Sequence, residues 1–244
     1  MNNRLYNIAI VGESGTGKTT SLENLDPTKT VIISPYKSDL PFEGWEEDYQ
    51  TLSIAKGTGN LIRTNNISEI GSILKYIIGK RPDIDTVVID DLTHFQTKVI
   101  TSAEFRGRKN GNEAFAKWQD FAADVKDNLF PEDIKDLDRD IYVIHVYHAE
   151  KNDQGEQDVK VVGKMLKEKI DLPSYYNYVL YTTVLPHDPN NSFSDRYKFV
   201  VNNDGTHLAK TPKNLYSELY IPNDLNAVIQ RIKEFRTTKR QRNV

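Results

Sequence analysis

The chain of 244 residues has no cysteine, two methionines and two tryptophans. Without cysteine there are no disulfides, no thiolate metal sites and no cysteine nucleophile, which suits a reducing compartment. No apolar run approaches the roughly 18 residues of a membrane span, and no apolar leader precedes the first strand pattern. The expectation is a soluble, cytoplasmic protein that does not bind membranes. Positive charge is also scarce: 32 Lys and Arg against 35 Asp and Glu give a formal net charge of −3. Nucleic acid cannot then be held by bulk charge, and any such contact must come from local basic patches.

What the chain does have is a run of glycines between an apolar strand and a helical pattern. Gly12, Glu13, Ser14, Gly15, Thr16, Gly17, Lys18, Thr19 and Thr20 follow the apolar stretch Tyr6 to Val11. This spacing predicts a phosphate-binding P-loop. Its glycines let backbone N–H groups wrap an anion, while Lys18 reaches the β- and γ-phosphates and the Thr19 hydroxyl ligates Mg²⁺. The expected nucleotide contacts are Gly12, Ser14, Gly15, Thr16, Gly17, Lys18, Thr19 and Thr20.

Around the loop, alternating strands and amphipathic helices argue for an α/β domain with a mainly parallel sheet flanked by helices, spanning 1–235 and followed by a basic tail, 236–244. Strands are expected at Tyr6 to Val11, Thr30 to Ser34, Thr86 to Ile89, Ile141 to Tyr147 and Tyr178 to Val184, with weaker ones near Gln50 to Ile54 and Leu61 to Thr64. Helices are expected from Lys18 to about Leu25, after an Asn66/Glu69 capping box, over Leu92 to Ile100, along Phe115 to Leu129, and from a cap near Asn223. Residues 101–112 and 150–160 read as polar loops. Asn202 to Gly205 predicts a hairpin joining Tyr197–Val201 to Thr206–Lys210.

The apolar strand Thr86 to Ile89 delivers Asp90 and Asp91. With a P-loop present, Asp90 is the expected second Mg²⁺ contact. Asp91 is either the base that positions the attacking water or the cap of the following helix. His148 is positioned to sense the γ-phosphate, or else is a solvated strand-end residue. His145 reads as a hydrogen-bonded core histidine. Lys210 is either a cation completing a neighbouring subunit's site or a solvated lysine. Arg106, Arg108, Lys109, Lys151, Lys160, Lys164 and Lys167 could track single-strand phosphates, with Phe105 or Tyr147 for stacking. The segment Glu150, Lys151, Asn152, Asp153 lacks the asparagine of the guanine-reading motif, so the nucleotide is expected to be ATP.

In the order and spacing of these parts, the chain resembles the phage-encoded RecA-like ATPases of the short, core-only kind, a group of AAA-type nucleotide-binding proteins linked to single-strand annealing recombination. The resemblance runs from Tyr6 to Phe235 through the P-loop, Val87 to Thr93, the helix around Trp118, the His148 strand, Tyr197 to Phe199, Ala209 to Thr211 and Asn223 to Leu225. It implies a RecA-like core with the His148 strand between the P-loop and Asp90 strands. It also implies ATP hydrolysis coupled to single-stranded DNA, ATP bound between self-associating subunits, phage recombination or replication proteins as partners, and the host cytoplasm as location. The chain departs from the pattern where a catalytic glutamate commonly follows the second strand: Ser34, Pro35, Tyr36 and Lys37 stand there, with Asp39 and Glu43 further on. Proline at 212 also leaves the finger motif after Lys210 incomplete. A nucleotide-dependent switch with little turnover is the alternative, and a small-molecule kinase the third reading.

Overall fold

The computed structural model describes residues 3–35, 39–107, 111–131, 134, 137–190 and 192–241, with the side chains of 111 and 238–241 excepted. Arg108, Lys109, Tyr36, Lys37 and the last three residues of the tail lie outside the described residues.

Apolar, β-branched runs build the middle of the sheet. They are β1 (Leu5–Gly12), β2 (Thr30–Ser34), β4 (Thr86–Ile89), β5 (Ile141–Lys151) and β7 (Tyr178–Val184). Short strands complete it: β3 (Leu61–Arg63), β6 (Gln157–Val159), β8 (Tyr197–Val200) and β9 (Tyr220–Pro222). The order is β3-β2-β4-β5-β1-β7-β8-β9, with β6 paired to β5. From β3 to β7 every neighbouring pair is parallel; β8, β9 and β6 join antiparallel. The His148 strand β5 lies between β1 and β4, as the resemblance implies.

Parallel strands buried on both faces need helices on both faces. On one face lie α2 (Ile67–Lys80), α3 (Leu92–Thr101), α5 (Gly111–Leu129) and α6 (Lys164–Lys169), whose Ile70, Leu74, Phe95, Val125 and Leu166 pack against Val31, Val87 and Val143. On the other, α7 (Leu225–Gln241) and the turn after the P-loop bring Leu22, Leu225, Val228 and Ile232 onto Ile8, Ile32 and Ile144. The small helices α1 (Trp45–Asp48) and α4 (Ala103–Gly107) fill connections.

Several expectations change. After the P-loop there is only a 3₁₀ turn, Thr20–Leu22. Ser21 N reaches Gly17 O at 2.9 Å, but Leu22, Glu23 and Leu25 bond three residues back, and Pro27 prevents a longer helix. The segment Gln50 to Ile54 contributes isolated bridges, not a strand. The loop expected at 101–112 contains α4, and the one expected at 150–160 is the β5–β6 hairpin turning at Gly155.

The hairpin expected at Asn202 to Gly205 does not form. Strand β8 is paired on one side with β7 and on the other with β9, which leaves Thr206–Lys210 no free edge of β8. That segment instead bridges Gln157 through His207 and Val179 through Lys210. On α5, Phe121, Val125 and Leu129 are buried as expected, but Phe115 is exposed. The Asn66 cap is real, accepting from Ser68 N and Glu69 N, while Glu69 turns to the Thr64 hydroxyl. The last helix is capped by Asp224, which accepts from Ala227 N at 3.0 Å.

Candidate nucleotide site

A parallel sheet places its strand ends, and the helix starts that follow, at one edge. There β1 turns into the glycine-rich loop, β4 ends at Asp90 and β5 reaches His148. The cleft between them, about 380 Å³, is lined by Ser14, Gly15, Gly17, Lys18, Thr19 and Thr20 of the loop, by Asp90, Asp91 and His148, and by Ser34, Asp39 and Arg63.

Two glycines are required by geometry. A Cβ on Gly12 would stand 1.9 Å from Thr182 Oγ1 and 2.7 Å from Thr16 Oγ1, so only glycine lets the loop leave β1 against β7. Gly17 has φ +93, a conformation side chains rarely adopt. The Thr16 hydroxyl bonds Glu13 O at 2.8 Å and pairs with Thr182, tying the loop to β7.

Thr19 Oγ1 donates to Asp90 Oδ2 at 2.6 Å. Asp90 is buried and its pKa is pushed up to about 6, by burial first and Asp91 second, against the Thr19 bond and Lys18. An anion so short of solvation is a strong attractor for a cation. Lys18 is also buried, and its ammonium donates to Glu13 O at 2.8 Å. Burial lowers its pKa, opposed by Asp90 and Asp91. Bound to a carbonyl, the ammonium is available to exchange that partner for phosphate oxygens.

Asp91 caps the following helix with one oxygen, and its other oxygen faces His148. Oδ1 accepts from His94 N at the start of α3, while Oδ2 lies 3.1 Å from His148 Nε2. His148 N donates to Thr93 Oγ1 at 2.9 Å, so β5 and the start of α3 are fastened twice. Burial and then Lys18 lower the His148 pKa, opposed by the Asp91 carboxylate beside its Nε2.

The protein oxygens here suit Mg²⁺. That ion takes few protein ligands and completes its shell with water and phosphate. The Thr19 hydroxyl and the Asp90 carboxylate supply that number, and among the described residues no group of three His, Cys, Asp or Glu gathers as a self-sufficient metal site.

Other predicted residues lie elsewhere. Lys210 donates to Tyr176 O at 3.0 Å and Pro173 O at 3.3 Å, beside the start of β7 and away from the cleft. Tyr147 is not available for stacking. It is fully buried, with its hydroxyl 2.8 Å from that of Tyr176, which is 2.9 Å from His145 Nδ1. Phe105 stands edge-on to Trp118 with Lys117 over its ring. Among the basic positions, Arg106, Lys151, Lys160 and Lys164 are exposed, whereas Lys167 pairs with Glu150 at 2.7 Å and Asp158 at 3.2 Å.

Two residues of the site carry no motif in the sequence. Arg63 ends a strand of three residues inside an irregular stretch, and only its register with Ser34 brings it to the cleft. Glu13 reads as loop filler, but it accepts from Gln157 Nε2 at 3.0 Å and so links the loop to the β5–β6 hairpin.

The family model AAA_24, described as an AAA domain, matches residues 4–213. No curated protein matches the chain. Among solved structures, one similar chain is from a study of an ATPase of the type III secretion system of pathogenic bacteria, with a TM-score of 0.46 and 11% identity over 73% of this chain. That similarity spans 51% of the secretion ATPase chain, about half its length. The match from residue 4 to 213 takes in the P-loop, Asp90, Asp91, His148 and every strand from β1 to β8: the chain belongs to the AAA domain family and is an AAA-type P-loop ATPase domain.

Proposed function

We propose that the protein binds MgATP in the P-loop cleft and hydrolyses it to regulate its hold on single-stranded DNA, in phage recombination or replication. The observation that carries the ATP part is the 2.6 Å bond from Thr19 to Asp90, with Lys18, Asp91 and His148 lining the same cleft. In this reading the backbone of Gly12 to Thr20 wraps the phosphates and Lys18 turns from Glu13 O to the β- and γ-phosphates. Mg²⁺ held by Thr19 and Asp90 would neutralise charge on those phosphates. Asp91 orients water, and His148 reports the γ-phosphate to β5. ATP rather than GTP is proposed because a guanine-reading asparagine is missing at Glu150.

DNA coupling is supported by placement. The segment after β4 and the hairpin after β5 both leave the nucleotide end of the sheet. Val162 N donates to Gln96 Oε1 at 2.9 Å, and Gly163 lies against Trp118, which joins the two segments. Arg106, Lys151, Lys160 and Lys164 are exposed on them. Nucleotide held between subunits, with Lys210 of one completing the site of the next, belongs to the same proposal. It requires Lys210 to give up two carbonyls.

A slow nucleotide-dependent switch is the second reading. Both Asp91 oxygens are engaged, one by His94 N and one by His148, so the proposed base already has a partner on each oxygen before any water binds. Steady-state ATP hydrolysis by wild type and Asp91→Asn, each with and without single-stranded DNA at low salt, separates the two. Stimulation by DNA that the variant loses supports the coupled ATPase. Tight ATP binding with no stimulation supports the switch.

A further inference from the structure

The long connection from Pro35 to Asn60 returns the chain to the sheet beside β2 with an arginine at the end of the new strand. Arg63, last in β3, is the register partner of Ser34, last in β2. Strands β2 and β4 are in register through Ile33 and Ile89, so Asp90 follows at the level of Ser34, and Asp90 N donates to Ile33 O at 2.9 Å. Laterally paired residues of a parallel sheet point to the same face. Arg63, Ser34 and Asp90 therefore form a row on the face where Thr19 meets Asp90.

Two strand spacings, about 9.6 Å in total, separate the Arg63 backbone from that of Asp90. The long side chain that starts there lines the cleft with Lys18, Asp91 and His148. Lys18 and Arg63 are the one lysine and the one arginine among the described lining residues. Burial lowers the Arg63 pKa below the ordinary arginine value, opposed by Asp39, but a guanidinium remains charged under any working condition.

We infer that Arg63 contacts the γ-phosphate of the nucleotide bound in its own subunit, as a catalytic cation set opposite Lys18; this rests on the ATP reading above. A planar guanidinium can hold two phosphate oxygens at once, which fixes the γ-phosphoryl group as a point charge cannot. During hydrolysis the water oxygen forms the new bond to phosphorus, the bond to the β-phosphate oxygen breaks, and the water proton leaves to a base or to phosphate. The products are ADP and inorganic phosphate. Arg63 takes no part in bond making; it stabilises charge on the equatorial oxygens. Because the cation belongs to the subunit that binds the nucleotide, its effect cannot be supplied by a neighbour.

The test compares wild type, Arg63→Gln and Arg63→Lys in Mg²⁺-dependent binding of AMP-PNP and of ADP, and in single-turnover ATP hydrolysis. Melting curves check that each variant is folded. Arg63→Gln should weaken AMP-PNP at least tenfold, leave ADP within twofold, and slow the single turnover roughly 10²- to 10³-fold, with partial recovery in Arg63→Lys. Mixing Arg63→Gln with Lys18→Ala subunits should restore nothing. Equal loss of AMP-PNP and ADP, a rate within threefold of wild type, or rescue by Lys18→Ala subunits would each overturn the inference. If wild type binds neither nucleotide, the ATP reading itself fails and this inference falls with it. If wild type binds both and Arg63→Gln behaves like wild type, only the inference fails.

Discussion

Acid should destabilise this protein through one buried histidine that does not line the nucleotide cleft. His145 sits in the middle of β5, fully buried, with Phe130 and Tyr176 against its ring. Its Nδ1 pairs with the Tyr176 hydroxyl, whereas Nε2 has no hydrogen-bond partner among the described residues. Burial pulls its pKa from 6.5 down to about 3. The folded state thus keeps it neutral where the unfolded chain binds a proton, so its contribution is complete above pH 6.5 and is lost as pH falls from 6.5 toward 3. Each pH unit in that window costs about 1.4 kcal/mol, so moving from pH 6.5 to 5 removes about 2 kcal/mol. For a chain of this length that is a fall of roughly 4–8 °C in Tm. Other groups titrate over the same range, so the informative quantity is a difference. His145→Asn cannot titrate; it should be less stable than wild type at pH 7.5, and the gap should narrow by about 2 kcal/mol at pH 5. Urea unfolding at the two pH values measures it. A gap that stays constant would mean that His145 is not the buried neutral group described here.

Gly12→Ala should abolish nucleotide binding and cost about 1–3 kcal/mol, because the new Cβ collides with Thr182 Oγ1 at 1.9 Å and breaks its pairing with Thr16; calorimetric titration and thermal melting check both. Gly71→Leu should cost more than about 2 kcal/mol, since even a Cβ there lies 2.3 Å from Asn128 Oδ1 and 2.8 Å from its Cβ, where α2 crosses α5. Nucleotide affinity of whatever fraction folds should be unchanged. Tyr176→Phe removes the hydroxyl shared by His145 and Tyr147 and should cost about 1–3 kcal/mol by chemical denaturation.

The parts of the site carried by local rules were legible in the sequence. The P-loop is a contiguous run whose glycines have individual reasons. Asp90 follows from an uninterrupted apolar strand, and the α2 start from the Asn66 cap. Features set by tertiary pairing were not legible. Strand β3 has three residues and is defined by its partner β2. The hairpin signal at Asn202 to Gly205 is a sound local turn, but β7 and β9 occupy both edges of β8. Tyr147 looks like any strand-end tyrosine until the Tyr176 ring is placed against it. Arg63 is hidden for the same reason as β3: its position in the cleft comes from the partner strand, and one more arginine in a polar stretch gives no local signal.

The account depends most on Lys18 and its Mg²⁺ partners acting on ATP in this cleft. The direct measurement is steady-state ATP hydrolysis by wild type and Lys18→Ala, with Mg²⁺ and with EDTA. The account predicts turnover by wild type that needs Mg²⁺ and falls at least a hundredfold in Lys18→Ala, a loss of the size expected for a preorganised charge at the transferring phosphate. Turnover that survives the substitution or the removal of Mg²⁺ would contradict it.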